Sequence, residues 1–134
     1  MAHQYSVAIN DARLDQVETT VGTAPILQLR SGAPPVNCAA AASGTLLATI
    51  NLPSDWMAAA SAASKIKAGT WSGTGSAAGT IAHYRILNTA GTTCHLQGTV
   101  TATGGGGDMT VDNTSIAVSQ AVSVNNYTLN AANL

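Results

Sequence analysis

Residues 93–103 sort cleanly when read two at a time, and this constrains the fold more than any other stretch of the chain. Cys94, Leu96, Gly98, Val100 and Ala102 fall on one side, and His95, Gln97, Thr99, Thr101 and Thr103 on the other. Side chains that alternate between two faces belong to a strand, so this pattern predicts one buried and one polar face. Gly104, Gly105, Gly106 and Gly107 follow, after which Met109 and Val111 alternate with Asp108, Thr110 and Asp112 as a second, shorter strand.

Residues 80–87 supply a partner on the N-terminal side. A three-residue connection at 89–91, with Gly91 in the left-handed conformation, sets a hairpin register. That register pairs Ile86 with Cys94, Tyr84 with Leu96 and Ala82 with Gly98 on the core face. Arg85 then faces His95, and His83 faces Gln97, on the opposite side. These four residues make the densest polar patch and are the candidate polar contact face.

Residues 6–21 predict the one clear helix: Val7, Leu14, Val17 and Val21 share a stripe, Ser6 is placed to cap it, and Gly22 stops it. Such a helix either packs on its own sheet or docks on a neighbouring subunit, and Val7, Leu14, Val17 and Val21 are the candidate docking residues. Residues 26–30 and 46–52 read as strands, the second with Leu46, Ala48, Ile50 and Leu52 inward and Leu47 outward. Residues 31–35 form a loop, because Gly32 and the adjacent Pro34 and Pro35 do not suit a central strand. A short helix or turn is expected at 54–60, with Trp56 and Met57 covering a sheet end. A strand is expected at 65–71 with Ile66 and Ala68 inward, and a flexible loop at 72–79. Residues 115–118, 121–124 and 127–129 complete the strands, and the change of parity before Tyr127 predicts a bulge near Asn125 and Asn126. Together these elements predict a mainly β protein, an antiparallel β-sandwich or jelly-roll-like domain over residues 25–134, preceded by an N-terminal helical arm over 1–24.

Only 8% of the residues are charged and the net charge is −1, with 25 Ala, 17 Thr, 13 Gly and no Phe. Ordinary soluble domains carry about 25% charged residues, and that charge keeps them apart in solution. A surface this poor in charge is expected to be partly covered by neighbours, in a homo-oligomer. The five basic residues are scattered, which argues against nucleic acid. No stretch is apolar for long enough to span a membrane, and residues 1–6 lack a signal-peptide pattern, so cytosolic synthesis is expected. Cys38 and Cys94 lie far apart in the sequence and are expected to be small buried thiols rather than a disulfide.

The glycine run is not a phosphate loop, since no Gly-Lys-Ser/Thr follows and it joins two strands; it reads as a hairpin loop. Asp108 and Asp112 supply too few oxygens for calcium. His83 and His95 lack a third metal ligand, and Cys94 faces away from His95, which leaves no nucleophile–base pair. No enzyme activity, metal or cofactor is expected.

The segments 45–57 and 94–113, together with the helix around 12–15, resemble those of a family of short tailed-bacteriophage proteins, and the similarity spans nearly the whole chain. The resemblance implies a virion structural protein, assembled in the host cytoplasm. Small, charge-poor β-domains with an N-terminal arm suit capsid decoration, or cement, so the expected partners are the phage major capsid protein and further copies of the chain. The alternatives are a tail- or fibre-associated protein, or a carbohydrate-binding adhesin stacking sugars on exposed Trp56, Trp71 or Tyr.

Overall fold

The computed structural model describes residues 3–131. It is mainly β with one N-terminal helix, and its sheet is curled. The helix α1 spans Val7–Val21; the Ser6 hydroxyl accepts from the Ile9 amide, and Gly22, at φ 95, donates its amide back to the Glu18 carbonyl. The strands are β1 (Ile26–Arg30), β2 (Leu46–Asn51), β3 (Ser64–Ile66), β4 (Ser72–Thr74) and β5 (Gly79–Thr80). They continue as β6 (His83–Leu87), β7 (Cys94–Ala102), β8 (Met109–Val111), β9 (Ser115–Ile116) and β10 (Ala121–Asn130).

The main sheet runs β2-β1-β6-β7-β8-β10-β3, with β4 also on β10, and β5 pairs with β9 separately. The sheet curls far enough that β4 returns to β2, where Ala48 bridges Gly75 and the Ser76 amide donates to the Leu47 carbonyl. The layers of this domain are therefore opposite walls of one curled sheet. All pairings are antiparallel except β7 with β8, which run parallel.

That parallel pair corrects the hairpin expected across the glycines. From Ala102 the chain doubles back beside β7 before β8 begins. The Gly107 amide donates to Thr101 Oγ1, and the Asp108 amide to Thr99 Oγ1. A Cβ on Gly105 or Gly107 would sit 2.7 Å or 2.9 Å from Thr101, so the return is this tight only because side chains are missing there.

Inside the curl, aromatic rings form a column. Trp56 lies 6.0 Å from Trp71, Trp71 5.5 Å from Tyr127, and Tyr127 meets Tyr84 edge-on at 5.3 Å. Leu27, Leu29, Ile50, Ile86, Met109, Val111 and Val122 pack around it, fully buried. The hydroxyls of Tyr84 and Tyr127 hydrogen-bond each other at 2.9 Å. Trp71 Nε1 donates to the Ala68 carbonyl and Trp56 Nε1 to that of Gly22, so neither indole strands its N–H.

Several local expectations give way to these contacts. Residues 54–60 are not helical: Met57 bridges Lys67 and the Ala58 amide donates to the Ile66 carbonyl, because Trp56 and Met57 are drawn into the core from extended backbone. The 72–79 stretch contains β4, paired with β10. Leu47 is buried beside Ala48, because a bulge at the β1–β2 pairing breaks the alternation there. The bulge expected near Asn125 is present between Val124 and Asn126. Among the described residues no helix is long and apolar enough to cross a membrane.

Candidate functional site

Two features of the sequence suggested contact surfaces, and the structure uses both internally. The first is the helix. Leu14 and Val21 are buried against the domain and Val17 packs at the edge of the core, whereas Val7 is 47% exposed. The stripe expected to dock on a neighbour is thus largely covered by the chain's own residues. A second stripe anchors the helix more specifically. Asp11, Asp15 and Glu18 follow one another at helical spacing and face the segment 58–65. Asp11 accepts from the Ala63 amide at 2.8 Å, and Asp15 from the Ala60 amide at 2.9 Å. Lys65 completes the clasp: its Nζ lies 2.7 Å from Asp15 and 2.8 Å from Glu18, and donates to the Ala58 carbonyl.

Lys65 reverses the parity expected for its strand, being 1% exposed while Ile66 is 53% exposed. Burial alone would pull the ammonium toward neutrality. The two carboxylates outweigh it, so the Lys65 pKa lies above its ordinary value. The Lys65 hydrogen bond, followed by that of the Ala60 amide, holds the Asp15 carboxyl below its usual range.

The second feature is the polar face of the β6–β7 hairpin. The two strands pair, and Gly91 adopts the left-handed conformation at φ 72. The register, however, differs by two residues over most of the ladder: Tyr84 pairs with Gly98, Ile86 with Leu96, Arg85 with Gln97 and His83 with Thr99. A bulge at His95 absorbs one of the two residues, since Leu87 pairs with Cys94 while Ile86 pairs with Leu96. The turn supplies the other, being one residue longer than expected, with the Asn88 amide donating to the Thr93 carbonyl. Past the bulge Cys94 comes to the side of Arg85, whose Nε donates to its sulfur at 3.2 Å. The inward placement expected for Cys94 is corrected accordingly.

The polar face is not an open contact surface either. His83 is 0% and Arg85 4% exposed, and His95 and Gln97 are half-buried. A loop, residues 31–45, lies over them, and their side chains hold its carbonyls. His83 Nδ1 donates to Gly32 at 2.7 Å and Gln97 Nε2 to Pro35 at 2.7 Å. Arg85 Nη2 donates to Cys38 and Ala40 at 2.7 and 3.1 Å, and Arg30 Nη1 reaches Ser43 at 3.4 Å. A loop with two prolines cannot pair as a strand; here side-chain donors from β1, β6 and β7 satisfy its carbonyls instead. His95 takes no part in this set of hydrogen bonds.

Between the loop and the sheet is a pocket of ≈ 340 Å³, lined among others by Gln28, Arg30, Cys38, Arg85 and Cys94. Its charge is positive. Among the described residues neither arginine has a carboxylate partner, and burial followed by the charge of Arg85 lowers the Arg30 pKa. The two thiols are free and half-buried, and the two cysteines line the same pocket, a juxtaposition that sequence separation concealed.

The remaining candidates resolve into structural roles. Asp108 accepts from the Thr99 amide and hydroxyl, and Asp112 from the Asn113 and Ser123 amides. Among the described residues no group of three or more His, Cys, Asp or Glu is placed to hold a metal ion. Trp56 and Trp71 are 0% and 1% exposed, so neither offers a ring face to a sugar. The chain matches no protein-family model, no curated protein and no solved structure.

Proposed function

We propose that the chain is a structural component of a tailed-phage particle, a decoration protein that binds the assembled major-capsid lattice alongside further copies of itself. The observation that carries this reading is the outward end of α1. Tyr5, just ahead of the helix, and Val7 and Ile9 in its first turn are 38%, 47% and 49% exposed, and the helix beyond them is clasped to the domain. An apolar tip on a fixed base loses little conformational freedom when it meets a partner. The contact is therefore assigned to Tyr5, Val7 and Ile9 rather than to Leu14, Val17 and Val21, which pack inward.

The charge distribution supports the same reading. Of the few charged residues, Lys65 and Arg85 are buried, Asp11, Asp15 and Glu18 clasp the helix, and Asp108 and Asp112 tie down loops. Little charge remains to be desolvated at an interface, where charged residues are normally depleted from the centre; the charge nearest the proposed contact is Arg13, whose guanidinium lies 4.8 Å over the Tyr5 ring. A protein that binds only the assembled lattice stabilises that lattice by mass action.

Co-sedimentation with particles lacking the chain tests the assignment. The double substitution Val7→Asp and Ile9→Asp leaves the buried clasp intact and should lower particle affinity at least tenfold, with an unchanged Tm. Undiminished binding by that variant would overturn the assignment.

A further inference from the structure

The pocket holds a pair of groups that the role proposed above does not use. Cys38 lies on the 31–45 loop and Cys94 at the start of β7, and both residues line the same pocket. One guanidinium organises them. Arg85 donates through Nε to the Cys94 sulfur at 3.2 Å and through Nη2 to the Cys38 carbonyl at 2.7 Å. Because the guanidinium is planar and rigid, these two hydrogen bonds fix the loop backbone at Cys38 relative to the sulfur of Cys94. The Cys94 thiol also donates to the Leu96 carbonyl at 3.3 Å, which restricts its rotamer. Cys38 has more freedom, since its loop is held to the sheet by side chains rather than by a ladder.

We propose that Cys38 and Cys94 are a site of covalent modification. When the folded chain meets a low-molecular-weight disulfide, they close an intramolecular disulfide that fastens the 31–45 loop to β7. The exchange balances without another reagent. One cysteine thiolate attacks a sulfur of oxidised glutathione, forming a mixed disulfide and releasing one glutathione thiolate. The second cysteine thiolate then attacks the protein sulfur of that mixed disulfide and releases the second glutathione. Two cysteine thiols are oxidised, one glutathione disulfide is reduced to two thiols, and the two cysteine protons pass to the released thiolates. Both cysteines are half-buried rather than sealed in the core, so the exchange is assigned to the folded chain. Burial, and next the Cys94 sulfur, push the Cys38 thiol above its ordinary value while Arg85 pulls the other way, so mildly alkaline conditions favour the exchange.

The bond would act on a loop that otherwise depends on side-chain hydrogen bonds from His83, Arg85, Gln97 and Arg30. It closes a long stretch of chain, which restricts the unfolded state strongly. The inference stands on the pocket alone and is independent of any role in a particle.

The test treats the folded, reduced chain with oxidised glutathione at mildly alkaline pH and reads intact mass, thiol titre and Tm. The expected product is a monomer lighter by two hydrogen masses, with no titratable thiol and a Tm raised by roughly 10 °C. Cys38→Ser and Cys94→Ser are each expected to fold and to stop at a single glutathione adduct. Two glutathione adducts on one chain, a covalent dimer, or two thiols that persist while a control dithiol is oxidised would each overturn the proposal. So would a disulfide that forms only in urea, because it would not arise from the folded pocket.

Discussion

The hydrogen bond between the Tyr84 and Tyr127 hydroxyls gives the sharpest test of how the core is assembled. The oxygens are 2.9 Å apart, the residues are 3% and 1% exposed, and neither hydroxyl has another hydrogen-bond partner among the described residues. Changing either tyrosine to phenylalanine removes one partner and leaves the other hydroxyl unpaired in the core, which costs about 1–3 kcal/mol. The double change removes both polar groups. It keeps the edge-on ring contact at 5.3 Å, so it should cost less than either single change, under about 1 kcal/mol. The cycle therefore predicts strong non-additivity, with a coupling of roughly 1–3 kcal/mol. With a urea slope of about 1–3 kcal/mol/M, each single variant should unfold about 1 M earlier than the parent, and the double variant close to it. Additive losses, or a Tyr127→Phe variant as stable as the parent, would refute the pairing and with it the packing of β6 against β10.

Gly98→Ala tests the hairpin register, because the added Cβ would lie 2.8 Å from the Tyr84 ring and 2.7 Å from Asp108 Oδ2. It should cost about 1–3 kcal/mol in chemical denaturation, and a neutral result would contradict the pairing of Tyr84 with Gly98. Stability should also fall at both extremes of pH. The Asp15 carboxyl is depressed, so its contribution is present above the usual value of 3.8 and is lost as pH falls through the lower folded value. Burial raises Tyr84 from 10.0 to about 12, and Lys65 is raised above 10.5; both contributions are present at lower pH and decline as pH rises past those unfolded values. Thermal melts across pH should show a plateau bounded by these windows, and a decline beginning at pH 8 would refute the assignment.

What could be read from the sequence was what local chemistry decides. Ser6 and Gly22 bracket the helix because capping acts within a single turn. Ile26–Arg30 and the face assignments of Tyr84 and Ile86 follow from alternation alone. The hairpin register was not legible, because the bulge at His95 and a turn one residue longer than 89–91 each add a residue without any local signature. Alternation with Ile66 and Ala68 inward leaves Lys65 outward, yet it is buried because two carboxylates on a distant helix meet it. The stripe formed by Asp11, Asp15 and Glu18 was the available signal, since it gathers half of the six acidic residues on one helical face. The polar set His83, Arg85 and Gln97 was correctly grouped on one face but read as a contact surface. Its partners are backbone carbonyls of the 31–45 loop, and carbonyls leave no mark in a sequence. The placement of Cys38 and Cys94 in one pocket was hidden for the same reason, since the covering loop carries Cys38 to Arg85, which also holds Cys94.

The central claim is the proposed place of the protein in a virus particle, and the most direct measurement is quantitative mass spectrometry of purified particles for this chain. The proposed role predicts a fixed, high stoichiometry to the major capsid protein, on the order of hundreds of copies per particle. A few copies would place the chain at the tail or a vertex, and its absence from purified particles would contradict a structural role altogether.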